Sequence, residues 1–231
     1  MRVDKYLSNI GIASRKDIAY FFKQGLIYIN GNMCLKGDFK LKNNDEIEID
    51  GKKIIYKENI YMILNKPVNY VSSNKDESSY LSYKHLISDT YYIEIVEIVG
   101  RLDVDTTGLL LLTNNGKLIH KLIHPKKDIF KKYYVKAKEI LSEDDIKKLE
   151  SGVKIDDFIT KPALVKRLSE NEIELSISEG KFHQIKKMLL SINNEVVKLH
   201  RLSIGEIQLG DLEIGKYRFL NQNEINYLEK F

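Results

Sequence analysis

Four consecutive leucines, Leu109–Leu112, constrain the folding of this chain more than any other feature. They lie in the stretch EIVGRLDVDTTGLLLLTNNG, from Glu97 to Gly116, and run into Thr113 and the turn signal Asn114-Asn115-Gly116. A short apolar run bounded by turn residues reads as a buried strand. Four residues are too few for periodicity to exclude a buried helical segment, and leucine is not a strong strand former. Just ahead of the run, Arg101, Asp103, Asp105, Thr106 and Thr107 crowd five polar side chains into seven positions before Gly108. Two readings stand: an active-site loop held still by a buried element, or an ion-paired turn.

The rest of the chain must supply what covers that strand. Its 231 residues suit one large domain, or a small domain joined to a medium one, and 43% hydrophobic residues are enough for a core. The net charge of +4 and pI near 8.8 permit a nucleic-acid partner without requiring one. No apolar stretch approaches the length of a membrane span, and MRVDKYLSNIG has no apolar signal core. Cys34 is the only cysteine, which leaves no internal disulfide and no thiolate metal cluster. A soluble, cytoplasmic protein with no membrane partner is the expectation.

The first sixty residues read as two short helices followed by small strands. Val3, Tyr6 and Leu7 form one apolar stripe, broken at Gly11. Ser14 is placed to cap a second helix with Asp17 three residues on; Ile18, Phe21 and Phe22 would face inward, and Gly25 would end it. Asn30-Gly31 and Asp50-Gly51 are hairpin signals after the strands Leu26–Ile29 and Glu46–Ile49. Arg2, Lys5, Arg15, Lys16 and Lys23 make a basic helical face, which suits either a phosphate backbone or plain solvent. The segment RVDKYLSNIGIASRKDIAYFFKQGLIYING resembles an S4 RNA-binding domain. That resemblance implies RNA contacts at Lys5, Arg15 and Lys16.

A fresh apolar run, Ile60–Leu64, ends in Asn65-Lys66-Pro67, where Pro67 stops a central strand and restricts Lys66. Lys66 is thereby either a functional cation or an edge residue. Ser72–Ser79 reads as a mobile polar loop, Leu81–Leu86 as a short helix, and Tyr91–Val99 as a strand. His120 and His124 share a helical face, but no matching acid or cysteine set accompanies them, so no metal is expected. Pro125 would end that helix.

In IFKKYYVKAKEIL, Tyr133, Val135 and Ala137 share one strand face and Lys132, Tyr134, Lys136 and Lys138 the other. Tyr133 then points inward, as a core residue or a functional one. Ser142 would cap a helix that stops at Gly152. KPALVKRL and NEIELSI read as a hairpin leading to a helix that starts near His183 or Gln184. Lys181, His183, Gln184, Lys186 and Lys187 make a dense cationic patch there, either an anion site or a solvated helix start. His200 and Arg201 add positive charge, and Asn223–Phe231 reads as a final helix.

Four segments together resemble the RsuA/RluB/E/F-type pseudouridine synthases over essentially the whole chain. They are NKP at 65–67, GRLDVDTTGLLLLTNNG at 100–116, KKYYVKA at 131–137 and EGKFHQIKKML at 179–189. TKPA at 160–163, VVKLHR at 196–201 and LGDLEIGKYRFL at 209–220 bring the resemblance nearest to the RsuA branch, which acts on the small ribosomal subunit. Asn69 stands where many relatives have glycine, and Lys181-Phe182 replaces the commoner Arg-Tyr.

The resemblance implies an α+β chain: a small N-terminal S4 (α-L) RNA-binding domain over residues 1–59, then a catalytic domain over 60–231 with a mixed, mainly antiparallel central sheet flanked by helices. It implies Asp103 as the essential aspartate, Tyr133 stacking on a flipped base, and Lys186 pairing with the aspartate. Arg101 would organise the loop or touch phosphate. Lys66, Lys181, His183, Gln184, Lys187 and Arg201 complete the expected RNA-binding set. The implied reaction is isomerisation of a uridine to pseudouridine in 16S rRNA, at the uridine-516-type site. The partner would be a small-subunit assembly intermediate, the protein a monomer, and no cofactor is expected because the reaction has no redox step and no external group donor. A synthase acting on 23S rRNA, and an S4-type assembly factor without chemistry, are the alternatives. A glycosidase or hydrolase would need a second facing acid or a ligand trio, and neither accompanies Asp103.

Overall fold

The computed structural model describes residues 1–124 and 127–231, which form two compact units. One comprises Met1–Ile60 with Ile87–Glu97 and Thr113–Asn115; the other comprises Tyr61–Leu86, Ile98–Leu112 and Gly116–Phe231.

In the first unit, helices α1 (Val3–Asn9) and α2 (Arg15–Lys23) accompany a four-stranded antiparallel sheet. Its strands are β1 (Ile27–Ile29), β2 (Asn32–Met33), β3 (Glu46–Ile49) and β4 (Lys52–Ile55), in the order β2-β1-β3-β4. Ser14 caps α2 by accepting from the Asp17 N–H at 3.2 Å. Both hairpin signals act as read: Asn30-Gly31 and Asp50-Gly51 all have positive φ, as a two-residue type I′ turn requires. Val3, Tyr6, Leu7, Ile18, Phe22, Ile27 and Ile47 build the core, with Phe21 only partly buried against it. The extended strand expected over Tyr91–Val99 is confined to Glu97–Val99. The residues before it form turns, because their apolar side chains serve this core instead: Ile95 packs on it, and the Tyr92 hydroxyl donates to the Ile55 carbonyl at 2.9 Å.

The remaining elements follow in chain order. β5 (Tyr61–Lys66), β6 (Tyr70–Val71), β7 (Leu81–Ser82), β8 (Glu97–Val99) and β9 (Thr107–Thr113) precede α3 (Gly116–Ile123) and β10 (Lys131–Ala137). Helix α4 (Glu143–Ser151) leads to β11 (Lys154–Ile155), β12 (Phe158–Ile159), β13 (Leu164–Arg167) and β14 (Glu172–Ile177). Then come α5 (Gln184–Ser191), β15 (Val196–Ile204), β16 (Ile207–Gln208), β17 (Tyr217–Phe219) and α6 (Gln222–Leu228). The expected helix over Leu81–Leu86 is instead β7, paired in parallel with β6, followed by a 3-10 segment at Tyr83–Ile87. Pro125, expected to end α3, lies outside the described residues. Ser142 caps α4 reciprocally with Asp145, and Gly152 follows the helix with φ +92°.

Among the described residues the main sheet runs β13-β14-β10-β15-β9-β5-β17, with β16 beside β15 and β8 beside β9. β9 and β15 are parallel; β13–β14, β14–β10, β10–β15 and β5–β17 are antiparallel, so the sheet is mixed and mainly antiparallel. Every residue of β9 is buried, which resolves the leucine run as a central strand rather than a helix. Leu109 and Leu111 join Tyr61, Ile63, Leu118, Leu122 and Ile204 in one core cluster. A strand covered on both faces needs no polar alternation, and that is why its sequence reads as one apolar block.

Candidate active site

The loop Gly100–Thr106 is pinned before it enters β9. Buried Ser72 donates to the Leu102 carbonyl at 2.7 Å and accepts from the Leu102 N–H at 3.0 Å. The Asn69 N–H donates to the Val104 carbonyl at 2.9 Å, and the Thr106 N–H to the Asp103 carbonyl at 3.1 Å. Asn69 has φ +65°, which explains why glycine suits that position and why asparagine can replace it. Ser72 opens the segment expected to be mobile, yet it is a fixed brace of the Asp103 loop.

Across from the loop, β14 turns into α5 through Glu179-Gly180-Lys181. Gln184 closes this turn: its Oε1 accepts from the Lys181 N–H at 3.0 Å, and its Nε2 donates to Glu179 Oε2 at 3.1 Å. His183 takes φ +54° immediately before the helix. The turn and the first helical turn together aim Lys186 at the loop. Its Nζ lies 3.0 Å from Asp103 Oδ2, and 2.7 and 3.0 Å from the two carboxylate oxygens of Asp105. His183 Nε2 lies 3.5 Å from Asp103 Oδ1.

One ammonium thus bridges two carboxylates. Burial works against its charge, but hydrogen bonds and Coulomb attraction from Asp105 and Asp103 outweigh that and raise the Lys186 pKa. Burial likewise works against Asp105, and Lys186 more than compensates, holding its carboxyl below the usual range. Asp103, Lys186, His183, Arg101 and Tyr133 line a cavity of about 260 Å³, together with Lys131 and Arg201. Tyr133 comes from β10 and is 8% exposed. A carboxylate fixed by a cation, beside an aromatic ring in a cleft, suits nucleophilic or base chemistry on a planar substrate.

The RNA pseudouridylate synthase family matches residues 60–191, and the S4 domain matches residues 1–47. The chain belongs to the pseudouridine synthases. It has the S4-plus-synthase composition of the RsuA/RluB group. The synthase is 38% identical to an uncharacterized RNA pseudouridine synthase, YtzG, of Bacillus subtilis, covering 100% of this chain and 99% of that one. It is 36% identical to the ribosomal small subunit pseudouridine synthase A of Vibrio parahaemolyticus, with 98% of each covered. It is 34% identical to the ribosomal large subunit pseudouridine synthase B of B. subtilis, over 98% of this chain and 95% of that one. Among solved structures, a pseudouridylate synthase crystal structure is similar at TM-score 0.70 and 34% identity, covering 99% of both chains.

The remaining expected contacts separate by burial. In the synthase Lys5, Arg15 and Lys16 are exposed on the first unit, where Lys5 and Arg15 border a shallow hollow with Arg2 and Lys23. Arg101 and Lys181 are exposed at the cavity. Two others are corrected. Lys66 is fully buried at the end of β5 and donates to the Pro67 and Tyr70 carbonyls at 2.9 and 2.8 Å, so it shapes the turn rather than offering an outer RNA contact. Burial pulls its pKa down to about 8. Gln184 is buried and spent on its own turn. Arg201 is 3% exposed and lines the cavity beside Tyr133. Lys187 is half-buried and paired with Asp156.

Sequence reading did not single out Lys131 as a cavity residue or Ser72 as a brace. The alternation that placed Tyr133 inward also places Lys131 inward, two residues earlier. Nothing in the sequence marks Ser72 apart from its neighbours. No group of three metal-ligating side chains occurs among the described residues.

Proposed function

We propose that this synthase converts one uridine of 16S rRNA to pseudouridine, with Asp103 as the group that acts on the sugar. The observation that carries the chemistry is the Asp103 carboxylate held 3.0 Å from Lys186 Nζ in a cavity that also receives Tyr133. Lys186 holds the carboxylate aimed by a hydrogen bond, and Tyr133 stacks on the extruded base. Asp103 attacks C1′ or removes the proton at C2′; either way N1–C1′ breaks, the base turns, and C5–C1′ forms. Flipping the base out of its stack costs a few kcal/mol. Contacts from Lys5, Arg15 and Lys16 to phosphate offset that cost.

The RNA-reading module is taken as residues 1–59 and the catalytic one as 60–231. A small-subunit assembly intermediate as substrate, a monomeric state and a cytoplasmic setting complete the reading. The small-subunit choice is supported by the small subunit synthase A of V. parahaemolyticus and by a second such relative in Vibrio vulnificus at 35% identity. The large-subunit relative is nearly as similar, so mapping decides. Pseudouridine sequencing of both rRNAs from a strain lacking the gene should show one site lost from 16S rRNA. Loss from 23S rRNA instead would move the enzyme to the large subunit. Loss from neither, with no isomerisation by the purified protein on either RNA, would leave an RNA-binding factor.

A further inference from the structure

We infer that Lys131 and Arg201 form a cation pair in the catalytic cavity that receives the negative charge of the departing uracil. This rests on the pseudouridine synthase reading of the site and adds a step to it.

Lys131 and Tyr133 are two apart on β10, so both point to one face. Arg201 of β15 is the direct cross-strand partner of Tyr133, which puts it on the same face. All three line the cavity. Arg201 donates from Nε to the Leu109 carbonyl at 2.7 Å, but its buried Nη2 has no partner. The bond from Lys131 Nζ is a long one, 3.5 Å to the Glu179 carbonyl. Among the described residues, no carboxylate stands within ion-pair distance of either cation. The acids that influence Lys131 are engaged elsewhere: Asp128 with Lys161, and Glu179 Oε2 with the Lys161 N–H and Gln184. Burial, then the charge of Arg201, hold the Lys131 pKa below its ordinary value.

A buried guanidinium with an unmet donor, beside a second unpaired cation, is destabilising unless an acceptor arrives. Phosphodiesters remain with the RNA backbone at the mouth, where Arg101 and Lys181 are exposed. The group that enters deepest is the base, stacked on Tyr133. When N1–C1′ breaks, its electron pair leaves with the uracil, and the charge spreads over N1, O2 and O4. The same anion departs whether Asp103 attacks C1′ or takes the C2′ proton. C5 then bonds to C1′, the C5 proton passes to solvent, and N1 regains a proton, so nothing is gained or lost overall. The cation pair lowers the energy of the anion and retains the detached base while it turns.

The test compares Lys131→Met and Arg201→Gln with the parent enzyme, in single turnovers on an rRNA transcript that the parent modifies. The target carries either uridine or 5-fluorouridine, whose electron-withdrawing fluorine makes the base a better leaving group. Each variant should convert uridine roughly 100-fold more slowly. The deficit in consuming 5-fluorouridine should be at least about tenfold smaller, with RNA affinity and its salt dependence unchanged. Equal deficits on both bases would overturn the inference, as would weaker binding with a shallower salt slope, the mark of a phosphate contact. Should Arg201→Gln not fold, because Arg201 also holds Leu109, Lys131→Met decides. A parent protein inactive on both rRNAs would remove the proposed function itself; an active parent with equal deficits would remove this step alone.

Discussion

Gly108 lies against the main chain of Arg201, so closely that a β-carbon on Gly108 would sit 2.3 Å from the Arg201 carbonyl oxygen and 2.6 Å from its nitrogen. Gly108 also has φ +104°, a region that favours glycine. β9 and β15 meet here in parallel, bringing the Asp103 loop and Arg201 to one place. Gly108→Ala must push backbone apart, so a loss of about 3 kcal/mol or more is expected. Urea unfolding measures it, and a variant as stable as the parent would show that the two strands can separate freely.

Asp103→Asn keeps the shape of the side chain and removes its charge. Isomerisation, followed as tritium release from C5-labelled RNA, should fall at least about 1,000-fold. RNA affinity should stay within about twofold. A full rate of release would end the assignment of Asp103.

Lys186→Met leaves Asp103 and Asp105 facing each other with no cation between them. Turnover should drop about 100-fold or more. The Asp105 pKa should rise, visible in a carboxyl NMR titration. The depressed Asp105 pKa stabilises the fold above its unfolded value near 3.8, and that share is lost as pH falls through the folded value. The raised Lys186 pKa adds stability below its unfolded value near 10.5, and that share is lost as pH rises through the folded value. The variant should therefore lose part of both the acid and the alkaline dependence of its urea midpoint. A midpoint-against-pH curve parallel to the parent's would show that this triad does not couple to folding.

Lys66 has the opposite sign. Its folded pKa is about 8 and its ordinary value 10.5, so between them the unfolded chain holds the proton more often. Stability from this residue should rise with pH across that window. Lys66→Met should flatten the rise relative to the parent, apart from a constant offset for the two lost hydrogen bonds. Urea midpoints at several alkaline pH values, taken as parent minus variant, test this; a difference that falls with pH would contradict it.

Arg15→Ala and Lys16→Ala should weaken RNA binding and reduce the salt slope by up to about one each. Turnover at saturating RNA should be unchanged. A fall in that saturated rate with unaltered affinity would place these residues in the chemistry instead.

What could be read from the sequence was mostly local chemistry. Ser14 and Ser142 announce helix starts because a hydroxyl must meet an orphan N–H. Asn30-Gly31 and Asp50-Gly51 announce hairpins because few residues accept positive φ. What escaped depends on partners distant in the chain. The turns before Glu97 override strand propensity because Tyr92 and Ile95 are claimed by another core. Lys66 and Gln184 suggested RNA as polar groups in the motif segments, yet each is folded inward onto its own turn, and Arg201 reaches across to the Leu109 carbonyl of the neighbouring strand. Lys186 could be matched to Asp103 through the family motif, whereas its equal hold on Asp105 needed the geometry.

The contact between Lys186 and Asp103 spans 83 residues, and that between Arg201 and Leu109 spans 92. β5 receives its outer neighbour only from β17, the last strand of the sheet. Synthesis proceeds from the N-terminus, so α1, α2 and their hairpins are made while the far side of the cavity is still untranslated. A half-made chain holds Asp103 but neither Lys186, which grips it, nor Arg201 on the wall of the cavity. The polypeptide is thus mute as a catalyst until its final third has been threaded into place, and a truncated product could occupy RNA without altering it.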